Sequence, residues 1–201
     1  MPATYLTICK PSQSLFKEKG SKFIGLAIPV FSENDVREKL QQLKQEYYDA
    51  RHHCYGFVIG PEKKLYRCSD AGEPAHTAGS PILGQIRSRD LTNVLVVVIR
   101  YFGGTKLGVP GLIAAYKAAA AQALDLAGAE EKEERELIKV LFPYSALSQV
   151  MRLQKEYQAE IVNTGFQADC NLELSASKSN VSQLLSDLGN LRNLGVIIEC
   201  E

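Results

Sequence analysis

NVLVVVIRYFGGTKLG, residues 93–108, decides the fold. Its first seven residues hold six apolar side chains around one Asn, and the mostly β-branched run VLVVVI never alternates with polar residues. A strand written that way is covered on both faces. The run gives way to Arg100, two aromatic residues, a glycine pair, Lys106 and Gly108. From Val109 to Ala127, Leu112, Ile113, Tyr116, Ala120, Ala123, Leu124 and Ala127 recur at helical spacing in a segment of high helix propensity. The predicted unit is a buried strand, a glycine-rich turn and a long helix.

That outline invites comparison with phosphate loops, because a helix N-terminus following glycines offers free amides to an anion. The spacing does not fit GxxxxGK[ST]: Gly104 stands only two residues before Lys106, and Leu107 replaces Ser or Thr. GxGxxG fails as well. A simpler anion cradle remains, with Arg100 and Lys106 as cations and the amides near Gly103, Gly104 and Gly108 as donors. The alternative is that the glycines let strand and helix pack closely and that Tyr101 and Phe102 are core. Phe102 is expected in the core; Arg100 and Lys106 are expected to serve a ligand.

Upstream, FIGLAIPV (23–30) reads as a strand, and Ser32 with Asp35 three residues on forms a capping signal before Val36, Leu40, Leu43 and Tyr47 at helical spacing. HHCYGFVIG (52–60) and KLYRC (64–68), joined by a short polar turn after Gly60-Pro61, predict a hairpin. A short helix opened by Ser80-Pro81 is expected within 77–90. The hairpin ends gather the densest polar residues of the chain, Arg51-His52-His53-Cys54 and Arg67 to His76, including all three histidines.

Three readings of that gathering stand side by side. A metal site is disfavoured because His52 and His53 are adjacent on a strand and point to opposite faces, and no HxH or HxxxH pair exists. Acid–base catalysis would use His53 or His76 held by Asp70 or Glu73. The third reading is an ordered turn, with Ser69 and Asp70 bonding nearby amides, Gly72 at positive φ, Glu73 in the same loop, and Pro74 ending it.

The 201 residues balance 23 basic against 23 acidic side chains, with 45% hydrophobic and 23% charged. This is an ordinary composition for a folded domain, and it excludes disorder and fibrous repeats. Up to Gly128 there are 16 Lys and Arg against 11 Asp and Glu, and after it 7 against 12, so the first part carries about +5 and the second about −5. Arg51, Arg67, Arg87, Arg89, Arg100, Lys106 and Lys117, interleaved with Tyr55, Tyr66 and Tyr101, suit phosphate neutralisation and base stacking. Five scattered cysteines without CxxC argue against a disulfide framework or zinc ribbon. No signal peptide or apolar run of about 18–20 residues is present, so a cytosolic protein without membrane contact is expected.

GAEEKEERE (128–136) is the expected linker between a domain over 1–130 and one over 137–201. The second reads LIKVLFP (137–143), a helix capped by Ser145, strands AEIVNTGF (159–166) and ADCNLELSA (168–176), a helix through Val181, Leu184, Leu185 and Leu188, and VIIEC (196–200). The order βαββαβ is a ferredoxin-like unit. The fold class is therefore α+β in two domains.

ARHHCYGFVIG, SDAGEPAHTAGSPILGQI and NVLVVVIRYFGGTKLGVPGLIAAYKAA, in that order, resemble the signature segments of the YigZ/IMPACT family across essentially the whole chain. The resemblance implies a first domain like domain IV of elongation factor G, with a left-handed βαβ crossover, and a second like its domain V. It implies RNA or the ribosome and translation machinery as partner, and a role in regulating translation. Eukaryotic relatives bind an activator of an initiation-factor kinase through an additional N-terminal domain; this chain begins almost at the shared domain, so that partner is not carried over. The family's signature positions fall on His53, Asp70, Gly72, Glu73, Pro74, Thr77, Ala78, Gly79, Pro81, Arg100, Tyr101, Phe102, Gly103, Gly104, Leu107 and Gly108. Ala71 departs from the family's SDDGEP and removes a second aspartate that metal or acid–base chemistry would need. The leading expectation is RNA or anion binding by Arg51, His53, Arg100, Tyr101, Gly103, Gly104 and Lys106, with Ser69, Asp70, Gly72 and Glu73 ordering the loop and no cofactor. The alternative is an enzyme acting on a small anionic or phosphorylated substrate.

Overall fold

The computed structural model describes residues 4–166 and 170–199. Its elements run β1 (Thr4–Ile8), β2 (Ser12–Glu18), β3 (Ser21–Pro29), α1 (Glu33–Glu46), β4 (His52–Ile59), β5 (Leu65–Ser69), α2 (Gly79–Ser88), β6 (Val94–Tyr101) and α3 (Gly108–Ala127). After these come β7 (Ala129–Glu133), β8 (Arg135–Phe142), α4 (Leu147–Glu156), β9 (Glu160–Phe166), β10 (Cys170–Ser177), α5 (Lys178–Gly189) and β11 (Ile197–Glu199). Two compact units result, Tyr5–Lys132 and a second built on the residues from Glu133 onward.

In the first unit the sheet order is β2-β3-β6-β4-β5, with every neighbouring pair antiparallel. The VLVVVI run is its central strand, and Val94 to Ile99 are each fully buried. Period-two alternation divides its side chains between two layers. Val94, Val96 and Val98 join Cys54, Val58, Phe23 and the apolar sides of α2 and α3. Leu95, Val97 and Ile99 join Phe57, Ile59, Val36 and Leu43 beneath α1. At about 25 cal/mol per Å² of apolar surface, burial on both faces makes this strand the main source of cohesion in the unit.

The expected capping box is present: Ser32 Oγ accepts from the Asp35 amide, and Asp35 accepts from the Ser32 amide. The hairpin of β4 and β5 pairs Tyr55 with Ser69 through Ile59 with Leu65. Strands β1 and β2 fall where no element was expected. The inward residues of β2 include Ser12 and Ser14, whose hydroxyls donate to the Ala123 and Ala119 carbonyls of α3 at 2.6 and 3.2 Å. Small polar residues under a closely approaching helix erase the hydrophobic alternation that reveals a strand. Gly25 on β3 serves the same approach, since a Cβ there would lie 2.5 Å from the Ala119 oxygen.

The stretch 128–136, read as a linker, is β7 paired with β1, followed by the start of β8. Ser145 does not cap α4; it lies in a 3₁₀ turn, Tyr144–Ala146, that leads into the helix. The second unit orders its strands β11-β8-β10-β9, all pairs antiparallel, and fills its core with residues of that sheet and of α4 and α5. Positions 168, 169 and 200, at the ends of two expected strands, lie outside the described residues. No helix among the described residues is long and apolar enough to cross a membrane.

Candidate anion-binding site at the strand ends

The register of β4 on β6 sets His52 directly opposite Arg100. By alternation these two share the face of Cys54 and Val98, toward α3, whereas His53 and Tyr101 share the face of Ile99, toward α1. A buried polar network grows from the first face. Arg100 Nη1 lies 2.7 Å from Glu73 Oε1, with side-chain exposures of 8% and 4%. The Tyr116 hydroxyl of α3 donates to the same carboxylate oxygen at 2.8 Å. The Cys54 thiol donates to the Asp70 carbonyl at 3.0 Å and lies 3.4 Å from the Tyr116 hydroxyl.

Burial pushes the Cys54 thiol up to about 12, with smaller pushes from the Glu73 and Asp70 charges. Burial foremost also pushes the Tyr116 phenol up, and the neighbouring Cys54 and Glu73 add to it. Both groups therefore remain protonated donors at neutral pH, and Cys54 is not a thiolate nucleophile. The network's function is to hold one guanidinium and one carboxylate in fixed positions under the sheet end.

The 69–79 loop carries Glu73 into place. Asp70 Oδ1 accepts from the Ala78 and Gly79 amides at 2.9 and 2.8 Å, and Oδ2 from the His76 amide at 2.9 Å. Asp70 thus caps α2 from eight residues upstream of the Ala78 cap position, whose own side chain cannot. Burial acts to raise the Asp70 carboxyl, but the Gly79, His76 and Ala78 amides together outweigh it and leave the group below its ordinary value. Ser69 Oγ accepts from the Ala71 amide at 3.3 Å, and Gly72 takes φ +87°. Ala71 and His76 also occupy the left-handed region, at φ +44° and +63°. Glu73's amide donates to the Asp70 carbonyl at 2.9 Å, which closes the turn.

His52 Nδ1 lies 3.0 Å from the Ala71 carbonyl. A carbonyl only accepts, so Nδ1 carries the hydrogen and Nε2 is the basic nitrogen. Beside this ring a cavity of about 410 Å³ opens, lined by Asp49, Ala50, Arg51, His52, Arg100, Tyr101 and Phe102. The Tyr101 hydroxyl donates to Asp49 Oδ1 at 2.7 Å, a bond that pushes the phenol up to about 12. Arg100 Nε is buried and has no hydrogen-bond partner among the described residues.

Several expectations change at this point. Arg100 was read as a free cation for a ligand; it is buried against Glu73, with its guanidinium 5.5 Å from the Phe23 ring and 5.7 Å from that of Phe102. Phe102 was read as core, yet it is 59% exposed. His53 lies on the α1 face, away from Asp70 and Glu73, and burial pushes its imidazole below the usual range against the pull of the Tyr47 carbonyl. His76 is exposed, with Nδ1 3.4 Å from Ser80 Oγ. Asp70 is committed to amides and Glu73 to Arg100 and Tyr116, so neither holds a histidine as acid–base catalysis requires. Among the described residues no group of three His, Cys, Asp or Glu is placed to hold a metal ion.

The glycine pair divides in two. Gly103 meets the β2–β3 turn so closely that a Cβ would lie 1.9 Å from the Gly20 carbonyl carbon, and its amide donates to Ser21 Oγ at 3.1 Å. Gly104, at φ +86°, faces open space. Lys106 and Arg51 are exposed and make no ion pair among the described residues. Of the other expected surface cations, Arg67 pairs with Glu33 and Arg89 with Asp125, while Arg87 lies 4.0 Å over the Tyr66 ring. The sequence reading placed His52 only in the rejected metal pair, Tyr116 in the apolar stripe of α3 and Phe102 in the core, and gave none of them a part in the site. Alternation along β4, which sets His52 on the face of the apolar Cys54, is the signal that could have marked it.

Residues 19–124 match the family described as Impact N-terminal domain. A relative from Haemophilus influenzae, named IMPACT family member, is 39% identical over 181 residues, 88% of each chain. The IMPACT family member YigZ of Escherichia coli is 29% identical and covers 86% of this chain and 85% of its own. A crystal structure of a hypothetical protein superposes with a TM-score of 0.74 at 27% identity, covering 100% of this chain and 98% of the other. With more than half of the chain inside that domain, and a relative of this similarity along most of its length, the chain belongs to the IMPACT family.

Proposed function

We propose that the protein binds RNA through the end of the β4–β6 pair and the adjoining 100–108 loop. The observation that carries this reading is the meeting of cations and an exposed ring at one cavity. Arg51 and Arg100 border it, Lys106 lies exposed a few residues further along the same loop, and the Phe102 ring is 59% exposed beside them. Phosphate neutralisation and base stacking need these two elements together. The positive excess of the first part of the chain favours an anionic partner in the same direction. The role in translation that the family resemblance implies would be exercised through this contact, on the ribosome or on free RNA.

The alternative of an acid–base enzyme gains no support from the geometry. Asp70 is engaged by three amides and Glu73 Oε1 by Arg100 and Tyr116, and Cys54 and Tyr116 are held protonated. The test is binding of structured RNA, followed by fluorescence anisotropy across a salt series. Affinity should fall steeply and linearly in log–log form as salt rises. No binding at low salt would remove the proposal.

A further inference from the structure

We infer that the cavity at the strand ends is a seat for one phosphorylated nucleotide, taking a phosphomonoester on Arg100 and the attached base on Phe102. The inference rests on the RNA-binding reading and names the part of the RNA that enters, a 5′-phosphorylated end. Arg100 is 8% exposed and lines the cavity, and its Nη2 makes no hydrogen bond among the described residues. Nη1 of the same guanidinium is fixed on Glu73, so the free edge is pre-oriented and no rotamer has to be ordered on binding.

Other lining groups complete the chemistry. Arg51 is exposed at the cavity and makes no ion pair among the described residues, so it is a second cation that can move onto a phosphate, Asp49 balancing it in the free protein. His52 also lines the cavity, its ring fixed by the Nδ1 hydrogen on the Ala71 carbonyl, which leaves Nε2 as an acceptor for an N–H or O–H of the nucleoside rather than for the phosphate. Asp49, the one acidic lining residue, is occupied by the Tyr101 hydroxyl. The volume of about 410 Å³ suits one nucleotide rather than a strand passing through. A terminal phosphate can enter with its nucleoside trailing outward, while an internal phosphodiester would have to bring sugars in on both sides.

The experiment compares an RNA oligonucleotide bearing a 5′-phosphate, the same oligonucleotide with a 5′-hydroxyl, a nucleoside 5′-monophosphate and inorganic phosphate, all by titration against the full chain. The 5′-phosphate should tighten binding by about tenfold or more, the effect of one charge-assisted contact set. Arg100→Met should cancel that difference. Because this change strands a buried carboxylate, Phe102→Ala provides a second probe on an exposed residue. It should weaken the phosphorylated oligonucleotide and the mononucleotide by roughly fivefold or more, without affecting inorganic phosphate. Equal affinity for the phosphorylated and hydroxyl ends overturns the inference while leaving RNA binding intact. Binding of the mononucleotide with no binding of either RNA upholds the seat and removes the RNA reading. Inorganic phosphate binding as tightly as the mononucleotide overturns the assignment of the base to Phe102.

Discussion

Replacing Glu73 by Ala should be among the most damaging single changes in the first unit. The carboxylate is 4% exposed, lies 2.7 Å from a guanidinium that is itself 8% exposed, and accepts from Tyr116 at 2.8 Å. Removing it leaves a buried cation without its counter-charge, a loss of about 3–5 kcal/mol. The Tyr116 hydroxyl loses its acceptor as well, but the two losses share one atom and do not add in full. Against a total of about 5–15 kcal/mol for a typical domain, the change removes a large fraction of stability. Equilibrium urea denaturation, followed by circular dichroism, measures it. Glu73→Gln keeps an acceptor of the same shape and should cost less, and Arg100→Met combined with Glu73→Gln should recover part of the loss of Arg100→Met alone. The reasoning fails if Glu73→Ala costs under about 1 kcal/mol, or if the double-mutant cycle gives no coupling, because a desolvated pair must show both.

Asp70→Ala removes the carboxylate that accepts from three amides leading into α2 and should cost about 2 kcal/mol, the upper end for a helix cap, with faster hydrogen exchange at the Ala78 and Gly79 amides. The depressed Asp70 carboxyl stabilises the fold above its unfolded value of about 4, and that share is lost as pH falls through the lower folded value; the Ala variant should lack this acid-side loss in a denaturation series. His53 has its folded value depressed too, so its contribution is present above about pH 6.5 and is lost as pH falls through the folded value; His53→Gln should flatten stability against pH in that window. Gly103→Ala drives a methyl into the Gly20 backbone and should destabilise by about 1–3 kcal/mol in thermal melts, with strain local to the β2–β3 turn.

The strongest signals in the sequence were those set by local periodicity. The β-branched run of β6, the capping box of α1 and the apolar stripe of α3 each reflect a pattern complete within one element. Strand β2 was hidden because its inward residues include serines bonded to helix carbonyls, and period two then carries no hydrophobicity. The polar cluster was legible as a gathering of residue types but not as a network. Glu73 and Arg100 are 27 positions apart, and only the loop path and the β4–β6 register bring them together. The same register selects His52 over His53, a choice that one residue's shift would reverse. Asp70 escaped as a helix cap because local rules look for it beside the helix, whereas it reaches across a loop. The arginine of RYFGG proved to be structural at one nitrogen and open at another, a division no spacing rule can express.

The central claim, that cations at the strand-end cavity and on the adjoining 100–108 loop contact RNA phosphates, is tested most directly by the salt dependence of affinity in variants at two exposed positions. Arg51→Ser and Lys106→Ser remove side chains that make no ion pair among the described residues, so the fold should be unchanged. Each should weaken structured RNA and reduce the slope of log affinity against log salt by about 1 per lost phosphate contact. Wild-type slopes retained in both variants, with wild-type affinity, would contradict the account.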